Sequence, residues 1–205
     1  MSLEVIQHPV AIHYINQLRR KETSHQAFRR YCEQVTTFLA IAATRDLAST
    51  AQVFETPLES MEGTFVRDPV VIVAILRAGA GMIDSVVRLI PEVSVGYIGL
   101  ERDEETAEAR RYYCKFPPMK GARVLVLDPM LATGGSSEQA IEAVYAESPA
   151  SVDFLCVVAA PEGVRRLEAR FPGLRIFAGS LDRELDANKY IRPGLGDFGD
   201  RLYGT

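Results

Sequence analysis

Metal-binding and redox frameworks are missing from this sequence. Its three cysteines, Cys32, Cys114 and Cys156, fall into no CxxC or Cys/His spacing. That excludes a structural zinc site and a disulfide scaffold, and it reads as plain buried thiols in a reducing compartment. Histidine is equally scarce: His8, His13 and His25 lie near the amino terminus, away from every loop considered below, so neither an HExxH pair nor a hydrolytic triad is supported. Paired carboxylates for glycoside hydrolysis and a G-x-S-x-G elbow are also lacking. No apolar run reaches the ~18 residues that would span a bilayer, and MSLEVIQHPVAIHYINQLRRKE has no signal core, so the expectation is a cytoplasmic protein with no membrane partner. A formal charge of -4 gives no global pull on nucleic acid. Any polyanionic ligand must be met by a few local cations.

What is present is a chain of 205 residues, 47% hydrophobic, enough for one well-formed core and read as a single domain over residues 1–205. After a short opening strand or turn closed by His8-Pro9, residues 24–50 read as a helix, because Phe28, Cys32, Val35 and Leu39 recur at three and four. The stretches QVFETPLES and GTFVRD predict a small extended excursion. VVIVAIL (70–76) is apolar on both faces and belongs in the middle of a covered sheet. The phrase of strand, loop and helix then repeats through VSVGYIGL, RVLVLD, VDFLCVVAA and LRIFAGSLD. This predicts an α/β fold, a mostly parallel, doubly wound sheet flanked by helices with right-handed crossovers. The terminal YIRPGLGDFGDRLYGT is too rich in glycine for a regular element, and its apolar residues predict that it packs back onto the sheet.

Four stretches carry chemistry. In VLVLDPMLATGGSS (124–137), an apolar strand runs into one carboxylate, Asp128, and then into Thr133, Gly134, Gly135, Ser136 and Ser137. Ligands of open α/β sheets bind beyond the carboxyl ends of strands, and unobstructed amides at a helix start suit phosphate. Asp128 can accept from sugar hydroxyls or hold the waters of a divalent cation. There is no GxxxxGK[ST], and Gly79 and Gly81 in RAGAGM lack the third glycine of GxGxxG, so a phosphosugar fits better than a nucleoside triphosphate or dinucleotide. ILRAGAGM (75–82) offers Arg77 for a second anionic group. ERDEETAEARRYYCKF (101–116) is a charged flap whose Arg102 lies nearest a strand end. YIRPGLGDFGD (190–200) can hold a planar heterocycle on irregular backbone.

Taken together, HP near the amino terminus, ILRAGAGM, RDEET, DPMLATGGS, VVAAPEG, YIRPGLGDFGD and the terminal YGT resemble the uracil phosphoribosyltransferase family in order and spacing over essentially the whole chain. The resemblance implies a type I phosphoribosyltransferase fold and transfer of the ribosyl phosphate of 5-phosphoribosyl 1-diphosphate (PRPP) to N1 of uracil, giving UMP and diphosphate with magnesium. It implies that Asp128, Pro129, Met130, Leu131, Ala132, Thr133, Gly134, Gly135 and Ser136 hold the 5'-phosphate and ribose, with Arg77 and Arg102 on the diphosphate. Uracil would be received by Ile191, Gly196, Asp197 and Phe198, and Asp197 would also serve PRPP. The catalytic set is then Arg77, Arg102, Asp128 and Asp197. No direct protein ligand to magnesium is expected, the ion being held through diphosphate and water. The family also implies a homodimer or higher homo-oligomer, and GTP is an effector for some members. Where the common pattern has leucine this chain has Ala80, and Glu101 replaces a tyrosine before the flap arginine. A nucleotide-responsive RNA-binding regulator of the same fold is the alternative, and it would need a basic face that the interspersed acids of this chain do not offer.

Overall fold

The computed structural model describes residues 3–102 and 109–205, without the side chains of residues 102, 109 and 110. Its elements are, in chain order, β1 (Leu3–Val5), α1 (Pro9–Arg19), α2 (His25–Thr44), β2 (Ser49–Glu55), β3 (Ser60–Val66), β4 (Val70–Leu76), a 3-10 turn (Ala78–Met82), α3 (Ile83–Leu89), β5 (Ser94–Arg102) and β6 (Ala109–Lys115). There follow β7 (Arg123–Leu127), β8 (Met130–Leu131), α4 (Gly135–Tyr145), β9 (Ser151–Ala159), α5 (Pro161–Arg170), β10 (Arg175–Leu181), β11 (Glu184–Leu185), β12 (Ile191–Arg192) and α6 (Phe198–Tyr203). The main sheet runs β1-β10-β9-β7-β4-β5-β6, with β8 beside β9. Only the β5–β6 pair is antiparallel; the other neighbours are parallel. The expected α/β fold is present.

Strands β4, β7 and β9 are buried nearly end to end, as their two-sided apolar sequences require. Alternate residues feed opposite layers. Ile72, Leu125 and Leu127 face the helices α1, α2, α3 and α6, while Val71, Val73, Val124 and Val126 face α4 and α5. Phe28, Phe154 and Phe177 are wholly enclosed, each contributing about 1.5–3 kcal/mol of transfer free energy.

Three expectations need correction. The helix predicted over 24–50 ends at Thr44. Arg123 of β7 caps its last turn, donating to Ala43 O at 2.6 Å and to the buried Asp153 at 2.8 Å, and its guanidinium pairs with Asp46 at 2.8 Å. Arg175 closes the same cluster on Asp153 and Asp46. A helix, α1, precedes it: Pro9 sits in its first turn, His8 accepts from Val10 N, and Ala11, Ile15 and Leu18 form its buried stripe. The glycine-rich terminus does form a regular element, because Asp197 caps α6 by accepting from Asp200 N and Gly204 ends it in a left-handed conformation.

The cysteines divide. Cys32 and Cys156 are buried, and burial pushes the Cys32 thiol up to about 12, but Cys114 on β6 is exposed. The β2–β3 excursion is an antiparallel hairpin that presents Val53, Phe54, Leu58, Met61, Phe65 and Val66 to solvent. Among the described residues no helix is long and apolar enough to cross a membrane.

Candidate active site

Three neighbouring parallel strands, β7, β4 and β5, end on one edge of the sheet. Their carboxyl ends deliver Asp128, Arg77 and Arg102, so the sheet register gathers three of the four predicted catalytic positions. Arg77 is exposed, and the Leu76–Arg77 peptide is cis. Arg102 closes β5 opposite Ala109; its side chain, and the rest of the flap over 103–108, lie outside the described residues.

Asp128 is half-buried. Its Oδ1 accepts from Met130 N at 3.3 Å and its Oδ2 from Ser137 Oγ at 3.4 Å. Burial pushes this carboxyl up to about 7, and those two donors pull only partly the other way. A ligand that brings hydroxyl donors or a cation to this carboxylate stabilises its charged form.

Residues 129–136 then turn over the start of α4. Pro129 O accepts from Val157 N and Val158 N, both at 3.0 Å, and Leu131 O accepts from Ala160 N at 2.8 Å. Leu131 is a fully buried core side chain. Pro129 and Leu131 thus serve as the frame of the loop, whereas Thr133 is half-buried and Ser136 exposed. Gly134 caps α4 with φ +80°, a conformation that a side chain would disfavour. The first amides of α4 have no partner within the helix, and they follow this turn toward the strand edge.

The segment expected to receive the base follows β12. Ile191 is buried and pairs with Leu185; the Arg192–Pro193 peptide is cis, and Gly196 has φ +85°. Phe198 packs edge-on against Phe28, ring centroids 5.0 Å apart, so its ring belongs to the core. Asp197 is exposed, with Oδ1 accepting from Asp200 N at 2.9 Å. Arg192 is held by Asp186, Nε to Oδ2 at 2.7 Å.

A cavity of about 260 Å³ unites these pieces, lined by Arg77, Ala78, Met130, Asp197, Phe198 and Gly199. Two larger depressions, about 660 Å³ around Glu142, Tyr145 and Arg170 and about 570 Å³ around Pro69, Leu89 and Pro91, lie by the opposite edge of the sheet, and a third, about 420 Å³, lies beside β5 against Ile98, Leu100, Arg111 and Gln139. Among the described residues no group of three or more His, Cys, Asp or Glu converges as a metal site.

Several supporting contacts are not visible in the sequence. A Cβ on Gly163 would lie 2.4 Å from Ala132 O, and one on Gly79 would lie 2.3 Å from Leu127 O. The first glycine lets α5 pass under the phosphate-type loop; the second seats the Arg77 turn on β7. The phrase PEG was visible, but only the fold shows what its glycine touches. Tyr203 and His25 were missed as well. Tyr203 Oη donates to Arg77 O at 2.9 Å, and His25 Nδ1 lies 2.9 Å from Arg201 O, so His25 is not remote from the terminal segment.

A sequence profile of uracil phosphoribosyltransferase matches residues 5–205. The chain is 45% identical over 205 residues to a uracil phosphoribosyltransferase of Salinibacter ruber, covering 100% of this chain and 98% of that one. It is 42% identical over 202 residues to one of Malacoplasma penetrans, covering 98% of each. Among solved structures it superposes on the AQ2163 protein of Aquifex aeolicus with a TM-score of 0.95 and 36% identity, over 99% of this chain and 98% of that one.

Proposed function

Since the chain belongs to the uracil phosphoribosyltransferase family, we infer that it is the enzyme that transfers the 5-phosphoribosyl group of PRPP to N1 of uracil, giving UMP and diphosphate. The observation that carries the site assignment is the cavity of about 260 Å³ in which the turn at Arg77, the loop at Met130 and the segment at Asp197 and Phe198 meet. In this reading 128–136 hold the 5'-phosphate and ribose, Arg77 and Arg102 face the diphosphate, and 191 with 196–198 receive uracil.

As the C1–O bond breaks, positive charge grows on the ribose and negative charge on the diphosphate. Donors already aimed at that developing charge are worth most in a site from which water is excluded. Uracil N1 attacks from the opposite face of the sugar and gives up its proton as the C1–N bond forms, the diphosphate leaving with the electrons of the C1–O bond. The base edge is read by backbone groups, because Ile191 and Phe198 are buried and Arg192 is occupied by Asp186. The exposed carboxylate of Asp197 faces PRPP. Magnesium fits the donor set: hard oxygen donors suit it, and it keeps most of its waters. Asp128 would take one of those waters, and the ion would supply further neutralisation of the diphosphate.

The whole chain, 1–205, works as one domain in this reading, since both apolar layers cover the same sheet, and it acts in the cytoplasm. It works as a homodimer or larger homo-oligomer. The support is the β2–β3 hairpin, in which Leu58 is 95% and Val53 71% exposed; an isolated two-stranded ribbon is marginal in water, and apolar ribbons of this kind are covered by a partner. The direct experiment is an assay of PRPP-dependent conversion of uracil to UMP at varied magnesium, with RNA binding measured at two salt concentrations. UMP formation without salt-dependent RNA binding is the expected result.

A further inference from the structure

Arg19 and Asp182 lie outside the set of residues given a role above, yet they grip the base segment at one residue. Asp182 follows β10 and is almost wholly enclosed, its side chain 2% exposed; Arg19 ends α1 with 20% of its side chain exposed. Both carboxylate oxygens of Asp182 and both terminal nitrogens of Arg19 are used. Asp182 Oδ2 accepts from Arg19 Nη1 at 2.7 Å and from Gly194 N at 2.8 Å. Asp182 Oδ1 accepts from Arg19 Nη2 at 2.5 Å and from Ser180 Oγ at 2.9 Å. Arg19 Nη1 donates to Gly194 O at 2.8 Å as well, and Nη2 to Ser180 Oγ at 2.9 Å.

Both polar backbone atoms of Gly194 are therefore fixed by one ion pair. Gly194 is also where the segment turns hardest: its φ is +61°, and a Cβ there would lie 2.1 Å from Ile191 O. On the next residue, Arg201 Nη1 donates to Leu195 O at 2.7 Å and its Nη2 to Arg20 O at 2.6 Å. The last turn of α1 and the base segment are thus laced together by two arginines. Burial works against the Asp182 carboxylate, but Arg19, the Gly194 amide and Ser180 together hold its pKa below the usual range.

We propose that Arg19 and Asp182 are positioning residues for base recognition, their ion pair setting the hydrogen-bonding edge that the backbone of 191–198 presents to uracil. The proposal rests on the reading that uracil lies against that segment. A bidentate guanidinium–carboxylate fork has a fixed geometry that neither lysine nor asparagine reproduces, and a site that reads its ligand through backbone atoms has no rotamer with which to compensate.

The test is steady-state kinetics of Asp182→Asn, Arg19→Lys and Ser180→Ala, with uracil and PRPP varied separately and cytosine as competitor base. KM for uracil should rise about tenfold or more in the first two, the equivalent of one lost charged hydrogen bond, while KM for PRPP stays within about twofold of wild type. Ser180→Ala leaves the ion pair in place and guards against misfolding; it should shift KM for uracil in the same direction by a smaller factor. An unchanged KM for uracil, or an equal rise for both substrates in folded protein, overturns the proposal. Amide hydrogen exchange over 194–198 in the wild type, with and without UMP, separates the two readings. Protection by UMP together with unmoved uracil kinetics in the variants sinks the positioning role alone, whereas no protection removes uracil from the segment and the proposal with it.

Discussion

Tyr203 donates its phenol hydroxyl to the carbonyl of Arg77 at 2.9 Å, so the last helix of the chain braces the turn that follows β4. Leu202, one residue earlier, presses on the same turn, its Cδ2 lying 2.5 Å from where a Cβ on Gly81 would be. The segment assigned to the base and the turn assigned to the diphosphate are thereby one mechanical unit. Burial pushes the Tyr203 phenol above its ordinary value, and it remains a donor throughout the neutral range.

Tyr203→Phe should therefore loosen the Arg77 turn with little effect on folding. One partly exposed hydrogen bond contributes about 0.5–1.5 kcal/mol, so the melting temperature should fall only slightly. The kcat/KM for PRPP should drop up to about tenfold if that energy is expressed at the site. Thermal denaturation and PRPP saturation curves on the same preparations check it.

Asp128 ties stability to pH with a definite sign. An unfolded aspartate titrates near ~3.9, and burial raises the folded value to about 7. Between these values the folded state binds the extra proton, so the contribution of this group to stability declines as pH rises through that window. Asp128→Asn cannot ionise. Its melting temperature relative to wild type should climb from about pH 5 to about pH 8, while its kcat/KM for PRPP falls by about 10² or more through loss of the charged acceptor. A parallel pH dependence in the two proteins would show that Asp128 is not the titrating group.

Gly163→Ala should disturb the 128–136 loop from beneath. Its methyl would meet Ala132 O at 2.4 Å, and overpacking of this kind costs about 1–3 kcal/mol. KM for PRPP should rise with KM for uracil less affected. Gly173→Ala is the control, since nothing lies within 4 Å of its added methyl; equal effects of the two substitutions would remove the loop contact from the explanation.

Uracil should be preferred over cytosine by at least about 10², because cytosine mismatches two polar positions of a fixed backbone edge and each buried unpaired group costs about 1–3 kcal/mol. Ile191→Val trims a side chain only 5% exposed and should lower stability by about 0.5–1.5 kcal/mol without abolishing the preference. Selectivity that collapses in this variant would assign the choice to side-chain shape.

Replacing Phe54 and Leu58 by aspartate should leave the main sheet folded, because the hairpin pairs only with itself, and should convert an oligomer to monomers in sedimentation velocity. Circular dichroism on the same samples separates dissociation from unfolding. Wild-type protein that sediments as a monomer would defeat the oligomer proposal.

The chain's own patterns determined the layered α/β fold. Runs such as VVIVAIL and RVLVL are apolar on both faces, and only a strand covered on both sides satisfies them. The glycine loop after Leu127 could be nominated as a ligand loop because its special residues are contiguous. Local caps were written in the sequence too, but neither was read from it: Pro9 with Ala11, Ile15 and Leu18 spells α1, which passed for a short strand or turn, and Asp197 with Gly204 spells α6, which glycine content hid. What tertiary structure decided are contacts between residues far apart in sequence. Arg123 stops α2 from across the sheet, Gly163 yields space to Ala132, Tyr203 reaches Arg77, and Arg19 reaches Asp182 and Gly194 across more than 160 residues of chain. An arginine in a sequence carries no mark of its partner, because a guanidinium pairs with whichever carboxylate or carbonyl the fold brings within about 3 Å.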